Sequence, residues 1–203
     1  MDSRTAIKQL SILSKDIKDM RLAAESWKTP FQTLISTIMS ARTRDEVTIP
    51  VASKLFKKYP SPNNLATARI KDIQAIIKPV NFYRNKAKNI IQCGKMIVRL
   101  HGGKVPNNMD ELIKLPGVGR KTANVFLSEY GKSAIGVDTH LSHISQKLGW
   151  TKNKRPDKIE RDLQNLFPKR YWERINPTAV RFGKTHTNRR QKDELLAQIK
   201  KIK

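Results

Sequence analysis

The chain has 203 residues, a formal net charge of +24 and a pI of about 10.4, with 38% hydrophobic and 6% aromatic residues. That length buries a core in one or two domains, and the charge repels itself unless it meets a polyanion, which favours nucleic acid over a membrane surface as partner. One cysteine, Cys93, excludes an internal disulfide and a cysteine-only metal cluster.

Residues 1–20 are expected to form an amphipathic helix rich in Lys and Asp, without the apolar segment of a secretory signal. No apolar run approaches the roughly 20 residues that span a bilayer, so a cytoplasmic, nucleoid-associated protein with no membrane partner is expected. Thr29-Pro30 reads as a cap and first turn. Phe31, Leu34, Ile35, Ile38 and Met39 then share one face of a buried helix. Residues 45–59 continue as a helix bent at Pro50, followed by 69–78 carrying Ile70, Ile73, Ile76 and Ile77. A longer helix over 84–100 turns Ala87, Ile90, Ile91, Ile97 and Val98 inward. Asn107 or Asn108 caps a short helix ending at Leu115. Helices follow over 120–130, from Asp138-Thr139, and over 156–167, 169–182 and 188–202. No run alternates long enough for a strand, and Ser133–Val137 reads as an extended link at best. The fold class is therefore all-α.

Leu115-Pro116-Gly117-Val118-Gly119-Arg120-Lys121 lies between two of these helices. Gly117 and Gly119 are expected to adopt backbone angles closed to other residues and to leave no side chain over the amides. The first N–H groups of the next helix carry the positive end of its dipole. Together these make a phosphate seat that reads no base, a helix-hairpin-helix signature. An ordinary glycine-containing turn is the plainer reading.

Lys121 falls in the first turn of the helix after the hairpin, where the helix's positive end and neighbouring Arg120 favour the neutral, nucleophilic amine, and burial would add to both. By itself it reads equally as a phosphate-binding lysine. Seventeen residues on comes Val137-Asp138-Thr139-His140. A carboxylate there could deprotonate the lysine or stabilise positive charge on a sugar. By itself Asp138 is a helix N-cap.

The string L-P-G-V-G-R-K-T-A-N-V followed by V-D-T-H resembles the helix-hairpin-helix–GPD superfamily of base-excision DNA glycosylases, and within it the endonuclease III type. The resemblance runs from about Pro30 to Phe182 and includes Leu34–Asp45 and Asn81–Ala87. It implies two helical lobes, 22–132 and 1–21 plus 133–203, with the active site in the cleft between them. It implies a monomer acting on double-stranded DNA that contains damaged or abasic nucleotides. Lys121 and Asp138 then form the catalytic pair of a bifunctional glycosylase/AP lyase for oxidised pyrimidines. A uracil- or thymine-mismatch glycosylase, or a non-catalytic hairpin protein, are the alternatives. The DNA-binding residues implied are Gly117, Val118, Gly119, Arg120, Asp45, Tyr83, Arg84 and His140, with Arg42 and Phe82 at the positions that fill the gap left by a flipped nucleotide. A surface arginine and a core phenylalanine are the plainer readings of those two.

Most proteins of that type carry a four-cysteine iron–sulfur cluster near the C-terminus. Here the first expected cysteine falls on His186 and the rest are absent, so no cluster is expected. Glu194, Leu195, Leu196, Ile199 and Ile202 are expected to pack a terminal helix in its place. Cys93 reads as a partly buried helix residue, and His140, His143 and His186 as unsuited to a metal site. The resemblance also implies a monovalent cation held by backbone carbonyls of the hairpin.

Overall fold

The computed structural model describes residues 1–202, and among them it contains helices and no strand. Twelve α-helices follow in order: α1 Ser3–Lys15, α2 Pro30–Ser40, α3 Asp45–Lys58, α4 Pro62–Ala66, α5 Ile70–Ile77, α6 Tyr83–His101, α7 Met109–Leu112, α8 Arg120–Glu129, α9 Thr139–Leu148, α10 Pro156–Leu166, α11 Trp172–Thr185 and α12 Arg189–Lys200. The all-α expectation holds.

Local chemistry sets many of the starts. Asp2, Thr29, Ser61, Asn108, Asp138 and Asn188 each accept a backbone N–H of their helix's first turn, which satisfies donors that the helix itself leaves open. Pro30, Pro62 and Pro156 occupy first-turn positions, where their missing N–H costs nothing.

The backbone divides into two compact units. One is the continuous segment Arg21–Glu129; the other combines Met1–Met20 with the chain from Tyr130 onward. In the continuous unit α2 is the central helix, with Leu34, Ile35 and Met39 fully buried and α3, α6 and α8 packed on it. In the other unit α1, α9, α11 and α12 surround a core of Leu10, Leu13, Leu141, Ile144, Leu148, Phe167, Phe182 and Leu196. Gln9, fully buried on α1, accepts a hydrogen bond from Trp150 Nε1 at 2.7 Å, and so partners a buried donor inside that core.

Several boundaries differ from the sequence reading. α1 stops at Lys15, short of residue 20, with Asp16 as its C-cap. Residues 169–171 form a separate 3₁₀ turn before α11, and α4 has no counterpart in the expected pattern. Of the residues expected to pack the terminal helix, Ile202 is 37% exposed, and Glu194 is exposed and pairs with Arg190; Ile70 is 38% exposed. Ile70 is the first residue of α5, and Ile202 lies two residues beyond the end of α12. Cys93 is fully buried.

Candidate active site

The hairpin is built by Leu115 and Val118, whose side chains are 2% and 6% exposed and anchor the turn in the core. The Val118 amide donates to Leu115 O at 3.0 Å, so its N–H closes the turn while its side chain is buried. Gly117 has φ +83, and a Cβ there would lie 3.0 Å from Ile38 Cγ2 and 3.1 Å from Asn89 Cβ. Both the dihedral and the space demand glycine. Gly119 differs from expectation: its φ is not positive, and a Cβ would meet nothing within 4 Å. Its lack of a side chain keeps the approach to the start of α8 open and has no conformational purpose.

Arg120 and Lys121 are the first two residues of α8, and both are exposed. Burial therefore adds nothing to the two effects that favour the neutral amine of Lys121. The first turn closes through Ala123 N donating to Gly119 O at 2.9 Å, which directs the positive end of the helix dipole to the same face as these two cations.

Asp138 is the N-cap of α9, with Oδ1 accepting Leu141 N at 2.8 Å. Buried Ala134–Val137 precede it, and Asn176 Nδ2 donates to Gly136 O at 2.5 Å. The carboxylate is thus fixed by the helix on one side and by a pinned, buried strand-like segment on the other. Its second oxygen retains acceptor capacity for a substrate. The half-buried His140 ring lies against α11 at Gly183, where an added Cβ would sit 2.1 Å from Nδ1. His143 is committed elsewhere: its Nε2 lies 2.7 Å from Asp193 Oδ1, and Lys147 meets the other oxygen of the same carboxylate at 2.7 Å.

Arg42 and Phe82 are brought together, although 40 positions apart in sequence. Both are exposed, Phe82 by 59%, and both have left-handed backbones, with φ 56 and 59. The Arg42 guanidinium lies 5.8 Å from the centre of the Phe82 ring. The core reading of Phe82 is therefore excluded. Tyr83 opens α6 half-buried, with exposed Arg84 5.5 Å over its ring, and Asp45 lies half-buried in the first turn of α3.

Two residues here escaped the sequence reading. Lys86 is 7% exposed and donates to Met39 O at 2.6 Å, Ala41 O at 2.5 Å and Thr43 Oγ1 at 3.2 Å. Its place on the inward face of α6, beside Ala87 and Ile90, was the available signal. Gly183 is the other, and nothing local distinguishes it.

At the place where a first cluster cysteine is expected, His186 Nε2 lies 3.1 Å from Asp16 Oδ2, and its ring centre is 4.5 Å from that of Phe182. One imidazole and one carboxylate on an aromatic ring do not fit a four-thiolate cluster. Among the described residues no group of three or more His, Cys, Asp or Glu could hold a metal ion, and no helix is long and apolar enough to cross a membrane.

Residues 35–169 match the family described as HhH-GPD superfamily base excision DNA repair protein. The chain is 46% identical over 156 residues to endonuclease III of Thermotoga maritima, covering 76% of this chain and 73% of that one. It is 38% identical over 185 residues to endonuclease III of Bacillus subtilis, covering 89% and 84%. A solved structure of a trapped endonuclease III–DNA covalent intermediate superposes with a TM-score of 0.85 at 33% identity, covering 93% of this chain and 89% of that one. A thermostable thymine-DNA glycosylase, 20% identical with a TM-score of 0.75, shares the fold. The chain belongs to the HhH-GPD superfamily of base excision DNA repair proteins and, within it, to the endonuclease III family of DNA glycosylase/AP lyases.

Proposed function

We propose that this protein removes oxidised pyrimidines from double-stranded DNA with Lys121 as nucleophile and Asp138 as its carboxylate partner, and then nicks the strand at the abasic site. The observation that carries the reading is the pairing of two placements. Lys121 projects from the first turn of α8 directly after the hairpin, and Asp138 is locked at the start of α9.

The target nucleotide must leave the stack before its C1′ can be reached. The neutral amine of Lys121 then attacks C1′, and the C1′–N bond to the base breaks, the base leaving with its bonding pair and taking up a proton. Asp138 accepts the proton lost by the amine and stabilises positive charge on the sugar as the base departs. Opening of the C1′–O4′ bond gives an imine between C1′ and Lys121 Nζ. That imine acidifies the C2′ proton; its removal breaks the C3′–O3′ bond and frees the phosphate on the 3′ side. Water hydrolyses the imine and returns Lys121.

The hairpin holds the phosphates, with Gly119, Arg120 and the start of α8 facing them. Backbone carbonyls of the 115–119 turn are the donor type a hard monovalent cation takes; such an ion would brace the turn. The same reading dispenses with an iron–sulfur cluster, since His186, Asp16 and α12 occupy that region with protein contacts. Purified protein with stoichiometric iron and a visible charge-transfer band would refute this part. One hairpin and one Lys–Asp pair suffice for a single chain, so the working form is taken as a monomer.

Borohydride reduction in the presence of duplex DNA carrying thymine glycol or an abasic site tests the lyase. A covalent adduct that is lost in Lys121→Gln is expected. The absence of an adduct with every lesion tried would overturn the reading, and uracil and thymine-mismatch duplexes in the same panel define the base removed.

A further inference from the structure

Lys86 is a buried ammonium whose partners are oxygens of the chain: Met39 O, Ala41 O and Thr43 Oγ1. Burying a charge is costly unless it is well hydrogen-bonded, and methionine would fill the same inward position of α6 without that cost. The acceptors bracket one place in the molecule, the end of α2 and the bend that follows it. Met39 O is among the last carbonyls of α2, which the helix leaves without partners, so part of the lysine's role is that of a C-cap.

The remaining contacts go further. Ala41 O and Thr43 Oγ1 flank Arg42 on both sides. Thr43 Oγ1 also accepts the Asn81 amide at 3.1 Å, and Asn81 Nδ2 donates to Arg42 O at 2.5 Å. Asn81 immediately precedes Phe82. Hence Arg42 and Phe82, which share exposure, a positive φ and a ring–cation contact, are held by one hydrogen-bond network centred on Lys86 and Thr43. Left-handed backbone at a non-glycine residue persists where the surroundings over-determine it. A guanidinium and a ring held side by side are both surfaces on which bases stack.

We propose that Lys86 is a positioning residue for opposite-strand recognition: its ammonium fixes the 41–43 bend against the Phe82 turn, so that Arg42 and Phe82 enter the duplex as one two-pronged wedge that senses the base opposite the excised nucleotide. This rests on the reading of Arg42 and Phe82 as gap-filling residues. Lys86 itself touches no reacting atom.

The test is Schiff-base trapping at an abasic site placed opposite each of the four bases in duplex DNA, and at an abasic site in single-stranded DNA, where no opposite base exists. In Lys86→Met the spread of trapping rates among the four duplexes is expected to shrink about fivefold and the mean duplex rate to fall about tenfold, while the single-stranded rate stays within about twofold. Adding Lys86→Met to Arg42→Ala is expected to produce no further loss of the spread, because coupled residues are not additive. If Lys86→Met does not fold, Asn81→Ala and Thr43→Val cut the same network and are expected to shrink the spread in the same direction.

An unchanged spread in the foldable variants overturns the proposal, as does a parallel fall in duplex and single-stranded rates, which marks a general defect. A wild-type protein indifferent to the opposite base overturns it too. If the wild type traps no DNA of either kind, the Lys121 reading fails; if it traps both and the spread survives, only the Lys86 proposal fails.

Discussion

The ring of His140 occupies the volume that a side chain on Gly183 would need, with Nδ1 2.1 Å from the place of the absent Cβ. α9 and α11 therefore meet through an imidazole laid on bare backbone, two residues after the Asp138 cap. Gly183→Ala is expected to displace the ring and to cost about 1–3 kcal/mol, as overpacking does. Base removal is expected to slow with it. His140→Ala reopens the space, so the double variant should match His140→Ala alone within about 0.5 kcal/mol. Urea denaturation of the three variants measures this, and additive losses would show that the two residues do not compete for one volume.

Under the proposed mechanism Asp138 carries two roles that one substitution separates. Asn caps a helix about as well as Asp, so Asp138→Asn should leave stability within about 0.5 kcal/mol while slowing base removal about a hundredfold or more. Asp138→Ala should lose the cap as well, about 1 kcal/mol. Single-turnover rates beside thermal melts decide this. Full activity in Asp138→Asn would reduce the residue to a cap.

The two hairpin glycines should respond differently. Gly117→Ala forces a left-handed alanine against Ile38 and Asn89 and should destabilise the protein by about 2–3 kcal/mol. Gly119→Ala should leave stability unchanged and weaken DNA binding, because it places a methyl over the start of α8. Paired melts and salt-titrated binding isotherms check both. Equal melting temperatures for the two variants would contradict the geometry.

Burial pushes the Lys86 amine down from 10.5 to about 8. Between those values the unfolded chain holds a proton that the folded chain has shed, so this group's contribution to stability rises with pH across that window. Below 8 both states are protonated and the full penalty of the buried charge applies. The stability of the wild type relative to Lys86→Met should therefore climb from pH 8 to 10.5, by at most about 3 kcal/mol. Urea midpoints for the pair at the two ends of the window measure it, and a flat difference would show that the hydrogen bonds fully offset the burial.

The parts of the site that could be read from the residues are those encoded locally. The hairpin, the first-turn position of Lys121 and the Asp138 cap each lie within a few residues of their own signal. α2 could be read because five apolar residues repeat at helical spacing. Lys86 offered only its place beside Ala87 and Ile90, since a lysine is assigned outward by default and its acceptors lie more than 40 positions earlier. The pairing of Arg42 with Phe82 is equally a product of tertiary structure. α4 was missed at only five residues, although Ser61-Pro62 announces it. The break at 169–171 was missed because α11 starts at Trp172 without a side-chain cap to mark it.

The division of the backbone has a consequence for how the molecule is made. Segment Arg21–Glu129 is continuous and closes its own core, whereas α1 packs on α11 and α12, which follow that whole segment in the chain. During synthesis the apolar stripe of Ala6, Leu10 and Leu13 must wait, uncovered, while an entire unit assembles downstream of it. Until α11 and α12 are made, α1 is thus open to aggregation on the nascent chain, and the helices that shelter it lie more than 150 residues downstream.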